Sequence, residues 1–195
     1  NPDRKAVYDF ESGAHYTYRD LGVRACRLAN FLKQELKILP NDRIAILSKN
    51  DMVYIDTFFS TIYTGAITTT YNAHLLPEEL ACMIRNEQPK AIFYEKEYED
   101  KLLAIESKVS IQHYILLDGE ENPFGPHLYQ QIMYYYNTQS PCIKLNDLES
   151  IILLMHTGGT TGIPKAAMLS CRAIYFNAVG KQNTWKLTSK NSTIA

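Results

Sequence analysis

Apolar residues recur along this chain with two different periods. From Tyr18 to Leu36, the positions Leu21, Ala25, Leu28 and Leu32 return at intervals of four, three and four, which makes one stripe of a helix. Thr17 before it and Asp20 three residues later resemble a capping box, with aspartate in place of the usual glutamate. Pro40-Asn41-Asp42 predicts a turn into Arg43-Ile44-Ala45-Ile46-Leu47, short and apolar enough for a buried strand. Asn50 or Asp51 can cap a second helix through Tyr54, Phe58, Phe59 and Ile62, which Gly65 stops. Ala66 to Tyr71 is β-branched and strand-like. Pro77 sits at a first-turn position of a helix through Leu80, Met83 and Ile84, ending before Pro89.

Short strands are expected again at Ala91 to Tyr94, Tyr114 to Leu117 and Ile151 to Met155, with helical stretches near Glu99 to Ser107 and His127 to Tyr136. Strands apolar at consecutive positions bury both faces. Alternation with helices therefore predicts an α/β fold: a mainly parallel sheet flanked by helices. No internal repeat, low-complexity tract or Gly/Ser linker interrupts the pattern.

Charge narrows the function. Twenty Lys plus Arg against 21 Asp plus Glu leave a net charge of -1, so no basic excess exists to displace counterions from nucleic acid. A local phosphate site stays open. Purely apolar stretches reach five residues, as in Ile151 to Met155, against roughly 18 for a membrane span. No transmembrane segment is expected. Cys26, Cys82, Cys142 and Cys171 lack the close spacing of a zinc site and are expected as buried small hydrophobes in a reducing compartment. No charged-then-apolar leader follows Asn1, so the expected location is cytoplasmic, and a chain that starts at Asn1 is expected to begin inside a longer product. His15, His74, His113, His127 and His156 show no metal-ligand pairing, and no metal ligand is expected. Tyr134, Tyr135 and Tyr136 lack interleaved basic residues and read as a helix end half-buried against the sheet.

One segment carries chemistry. Ile151 to His156 runs into Thr157-Gly158-Gly159-Thr160-Thr161-Gly162-Ile163-Pro164-Lys165, with three glycines, three threonines and a lysine. Glycines let consecutive amides point into one concavity, hydroxyls add donors, and lysine adds a mobile positive charge. Such a set suits a polyphosphate beyond the carboxyl end of a strand. It is not a Walker A loop, because Pro164 precedes Lys165 and Ala166 follows it.

Leu154 through Lys165 resembles the phosphate-binding signature of the acyl-adenylate-forming (AMP-binding) enzymes, of the acyl-CoA synthetase type. Tyr16-Thr17-Tyr18-Arg19-Asp20-Leu21 resembles the family's first helix entry. Gly65-Ala66-Ile67 through Asn72, Leu76-Pro77-Glu78-Glu79-Leu80 and Pro89-Lys90-Ala91-Ile92-Phe93 resemble its next strand, helix and strand. The resemblance runs from about Tyr16 to the end. Two positions depart from it: Ala166 where glycine is usual, and Cys171 after Ser170 where histidine is frequent.

The resemblance implies a two-step reaction: ATP-dependent activation of a carboxylic acid to an acyl-adenylate, then thioester formation with coenzyme A. Thr157, Gly158, Gly159, Thr160, Thr161 and Gly162 would hold the β- and γ-phosphates, with Lys165 at the loop's end and Mg2+ accompanying the nucleotide. The substrate would be a fatty or aromatic acid. The family's adenine segment, ribose aspartate and catalytic lysine would lie beyond Ala195. Residues 1–195 are thus expected to be the amino-terminal portion of the large adenylate-forming domain, with a possible subdomain division near 65–75. Such a cut would leave apolar surface and self-association. The alternative is a non-catalytic nucleotide- or acyl-binding module of the same fold.

Overall fold

The chain opens with an antiparallel ribbon, β1 (Lys5–Tyr8) and β2 (His15–Thr17), too short to announce itself by periodicity. A computed structural model describes residues 1–10, 13–142, 147–157, 165–188 and 191. Thr17 and Asp20 form the expected capping box: the Asp20 amide donates to Thr17 Oγ1 at 3.1 Å and the Thr17 amide to Asp20 Oδ2 at 2.7 Å. They open α1 (Tyr18–Gln34), which stops short of Leu36. The physical stop is Lys37, whose φ of 51° lets the Ile38 amide turn back to the Leu32 carbonyl at 2.9 Å.

Of the two proposed caps, Asp51 starts α2 (Met52–Thr64), accepting from the Val53 amide at 2.8 Å. Gly65 ends it at a φ of 75°, and a Cβ there would meet Pro40 at 3.2 Å, so both conformation and space require glycine. Pro77 is the first residue of α3 (Pro77–Glu87). The remaining helices are α4 (Glu99–Leu103), α5 (Tyr129–Tyr135) and α6 (Cys171–Thr184).

Among the described residues the main sheet has six strands: β3 (Arg43–Leu47), β4 (Ile67–Thr70), β5 (Ala91–Tyr94), β6 (His113–Leu116), β7 (Ile151–Thr157) and β8 (Lys165–Ser170). Their order is β6-β5-β3-β4-β7-β8. The first five in this order run parallel, and β8 turns back antiparallel to β7. The α/β reading holds, and β8 is the strand it lacked.

Alternate residues of one strand enter different cores, which is why these strands read as continuous apolar runs. Ile44 and Ile46 of β3 pack with Phe93 and Ile115 against Leu28, Phe31 and Leu32 of α1, Val53 of α2 and Ile132 of α5. Ala45 and Leu47 pack with Ile92 and Tyr94 against Leu80, Met83 and Ile84 of α3 and Leu102 of α4. Strand β4 differs, burying two threonines. Each finds a helix partner: Thr68 Oγ1 lies 3.3 Å from Thr61 Oγ1 on α2, and Thr69 Oγ1 donates to Glu87 Oε2 on α3 at 2.7 Å.

Two expectations need correction. Of the four cysteines only Cys26 is buried; Cys82 and Cys171 are intermediate and Cys142 is exposed. The other three lie outside the two packed clusters, which the wide separation of the cysteines along the chain could not reveal. Tyr134 and Tyr135 are 74% and 76% exposed rather than half-buried, and Tyr136 alone of the three packs against the core. The sheet-facing positions of α5 are taken by Tyr129, Ile132 and Met133.

Candidate functional site

The carboxyl ends of β3, β4, β5 and β7 share one edge of the sheet, the edge where open α/β sheets bind ligands. Strand β7 ends there at Thr157, and β8 starts beside it at Lys165. The last registered pair of this hairpin is Thr157 with Lys165, and Thr157 Oγ1 donates to the Lys165 carbonyl at 3.2 Å. The two residues that bound the segment are thereby held side by side. Both are exposed, and the Lys165 ammonium makes no ion pair among the described residues. Gly158, Gly159, Thr160, Thr161 and Gly162 lie outside the described residues.

Immediately before Thr157 stands a cluster that the sequence pattern did not assemble. His156 Nε2 bonds Glu87 Oε1 at the end of α3, and His156 Nδ1 lies 2.9 Å from the Thr70 carbonyl at the end of β4. The histidine and glutamate side chains are only 10% and 11% exposed. Burial alone would discharge the imidazole, but the Glu87 bond and charge outweigh it and raise the His156 pKa. Burial likewise opposes ionisation of Glu87, and bonds from His156 and Thr69 overcome it, lowering its pKa. The Tyr71 ring sits 5.7 Å from the His156 ring, and burial, then the Glu87 charge, pushes its hydroxyl well above the phenol range.

Ser170 accepts from the Ala173 amide at 3.2 Å and caps α6, which makes Cys171 the first helical residue. Among the described residues, no three His, Cys, Asp or Glu side chains gather as a metal cage, and no helix is long and apolar enough to cross a membrane.

A mainly parallel sheet flanked by helices, with Thr157 and Lys165 side by side at its carboxyl edge, defines an open-sheet α/β domain. The match to known sequences is specific: the AMP-binding enzyme family matches residues 1–195, and the chain belongs to it. It is 27% identical to the peroxisomal trans-cinnamate:CoA ligase of Petunia hybrida, over 90% of this chain and 34% of that protein. It is 26% identical to the long-chain-fatty-acid–CoA ligase of Thermus thermophilus, over 84% and 29%. The fold superposes on the anthranilate CoA ligase AuaEII in complex with anthranoyl-AMP with a TM-score of 0.83, at 20% identity, over 91% of this chain and 34% of that one. ATP-bound MatB from Rhodopseudomonas palustris gives 0.81 at 23% identity, over 96% and 36%. The chain thus spans about a third of the length of the relatives it matches.

Proposed function

We propose that this chain is the amino-terminal portion of an ATP-dependent acid-thiol ligase that forms acyl-CoA. The observation that carries the reading is the AMP-binding family match over the whole chain, including the Thr157 to Lys165 segment. In the first step a carboxylate oxygen attacks the α-phosphorus of ATP, and the bond to the bridging oxygen breaks to release pyrophosphate. In the second, the thiol sulfur of coenzyme A attacks the acyl carbon and expels AMP as the thiol loses its proton. Cinnamate and long-chain fatty acids in the relatives' names support a fatty or aromatic acid as substrate.

Thr157, Gly158, Gly159, Thr160, Thr161 and Gly162 are assigned to the β- and γ-phosphates, and Lys165 to the charge that builds on the departing pyrophosphate. Donors that meet this charge better than they meet bound ATP lower the barrier. Mg2+ would accompany the nucleotide phosphates and supply charge neutralisation there. The sparse, widely separated cysteines support a reducing compartment, with the cytoplasm as the proposed location. Residues 1–195 then belong to a larger adenylate-forming domain, whose catalytic groups lie beyond Ala195.

Acid-dependent ATP–pyrophosphate exchange by the full-length parent tests the first step, with cinnamate-like and long-chain acids as the panel. Exchange with at least one acid is expected. A parent that binds nucleotide and exchanges with none is the non-catalytic module instead.

A further inference from the structure

Strand β7 is attached to its two neighbours unequally at its carboxyl end. Toward β8 the ladder continues through His156 with Ala166 and Thr157 with Lys165. Toward β4 the last registered pair is Thr69 with Leu154, two residues short of His156. Past that point, the His156 imidazole makes the link to β4, reaching the Thr70 carbonyl with one nitrogen and Glu87 with the other. Glu87 is a fixed post. Arg43 of β3 donates Nε to the Glu87 carbonyl at 2.6 Å and Nη2 to the Gln88 carbonyl at 2.9 Å, and Thr69 Oγ1 donates to the second carboxylate oxygen.

We propose that Glu87 is a positioning residue for the Gly/Thr segment, acting through His156 to set the direction in which β7 delivers Thr157. This deepens, and rests on, the reading of that segment as the phosphate cradle. The chemistry of the partners defines the state. A carbonyl and a carboxylate are both acceptors, so both ring nitrogens must donate, and only the imidazolium does so. The neutral ring leaves one acceptor facing a lone pair, and the tip of β7 loses one of its ties to the sheet. Among the described residues, the ionisable groups around the ring are Glu87 from α3, Tyr71 just past β4, and Arg43 of β3 behind Glu87. Ala166, opposite His156 on β8, brings no charge.

The test uses the 195-residue chain, isotopically labelled, in an NMR titration that follows the His156 ring and the Thr157 amide together. The expected result is a His156 midpoint above 6.5, with the Thr157 amide moving at the same midpoint. Glu87→Gln should lower the ring's midpoint, because the Glu87 charge no longer opposes burial and the Thr70 carbonyl remains as a support of the charged ring, and His156→Gln should abolish the Thr157 titration. The wild-type chain alone decides the matter if either variant fails to fold. A midpoint at or below 6.5, or a Thr157 amide indifferent to the ring, overturns the proposal. In a parent that shows pyrophosphate exchange, the KM for ATP should rise with pH at the same midpoint, and this rise should shift to lower pH in Glu87→Gln while kcat changes less. Identical pH profiles in wild type and variant also overturn it. A parent without exchange refutes acid activation and leaves the Thr157 titration to decide the positioning role.

Discussion

Arg24 of α1 grips Asp56 of α2 with two prongs, Nη2 to Oδ2 at 2.6 Å and Nε to Oδ1 at 3.1 Å. Tyr129 of α5 donates to the same carboxylate, and the guanidinium lies 5.0 Å over the Tyr16 ring. The Asp56 side chain is fully buried and that of Arg24 is 18% exposed, so three helices on one face of the sheet meet at one charge. Removing Asp56 leaves Arg24 and Tyr129 turned toward a void. Asp56→Ala should cost about 3 to 5 kcal/mol, measured by urea unfolding. Replacing the pair together, Arg24→Met with Asp56→Leu, should cost less than Asp56→Ala alone.

Lys165 begins β8 beside Thr157, exposed and positively charged. In the full-length parent, Lys165→Ala should slow pyrophosphate exchange roughly ten- to a hundredfold, the worth of one charged donor at about 1.5 to 3 kcal/mol. Exchange at the wild-type rate would return Lys165 to the status of a solvated surface charge.

The Glu87–His156 pair gives the chain a stability window in pH. His156 has a pKa raised from 6.5, so its contribution is complete below 6.5 and is lost as pH rises through the folded value. Glu87 has a pKa lowered from 4.5, so its contribution is complete above 4.5 and is lost as pH falls through the folded value. Thermal unfolding of the chain should therefore lose stability above pH 6.5 in wild type. The loss should be smaller in His156→Gln.

The 195-residue chain should fold, self-associate, and make no acyl-CoA. None of the residues of α6 is buried, and Tyr175, Phe176, Met168 and Met155 are all more than half or half exposed. Strand β8 presents an edge beside them. Sedimentation velocity should show species larger than the monomer at micromolar concentration. A coupled assay with ATP, coenzyme A and the acid panel should stay at background.

What the sequence discloses follows from where each signal resides. The α1 cap, the Gly65 stop and strands β3, β5 and β6 are encoded locally, in three-residue spacings or apolar runs, and all could be read directly. Strand β8 could not: Lys-Ala-Ala-Met-Leu-Ser has no alternation and weak β-propensity, and pairing with β7 makes it extended. Thr157 and Lys165 were recognised from composition and resemblance, whereas their side-by-side placement needed that same strand. The Glu87–His156 bond joins residues 69 positions apart through the packing of α3 on the sheet. Its one local hint was a histidine ending an otherwise apolar strand run.

The return of the chain as a strand after Lys165 has an electrostatic consequence. In a loop that feeds directly into a helix, the macrodipole adds about half a positive charge at the phosphates, an effect confined to the first turn. Here the next helix, α6, begins six residues later at Cys171, roughly 20 Å along an extended strand from Lys165. That half-charge is out of reach. If the segment holds a polyphosphate as proposed, compensation would fall on discrete groups such as the Thr157 hydroxyl and the Lys165 ammonium at the facing ends of β7 and β8, each of them lost by a single substitution in a way that a helix dipole is not.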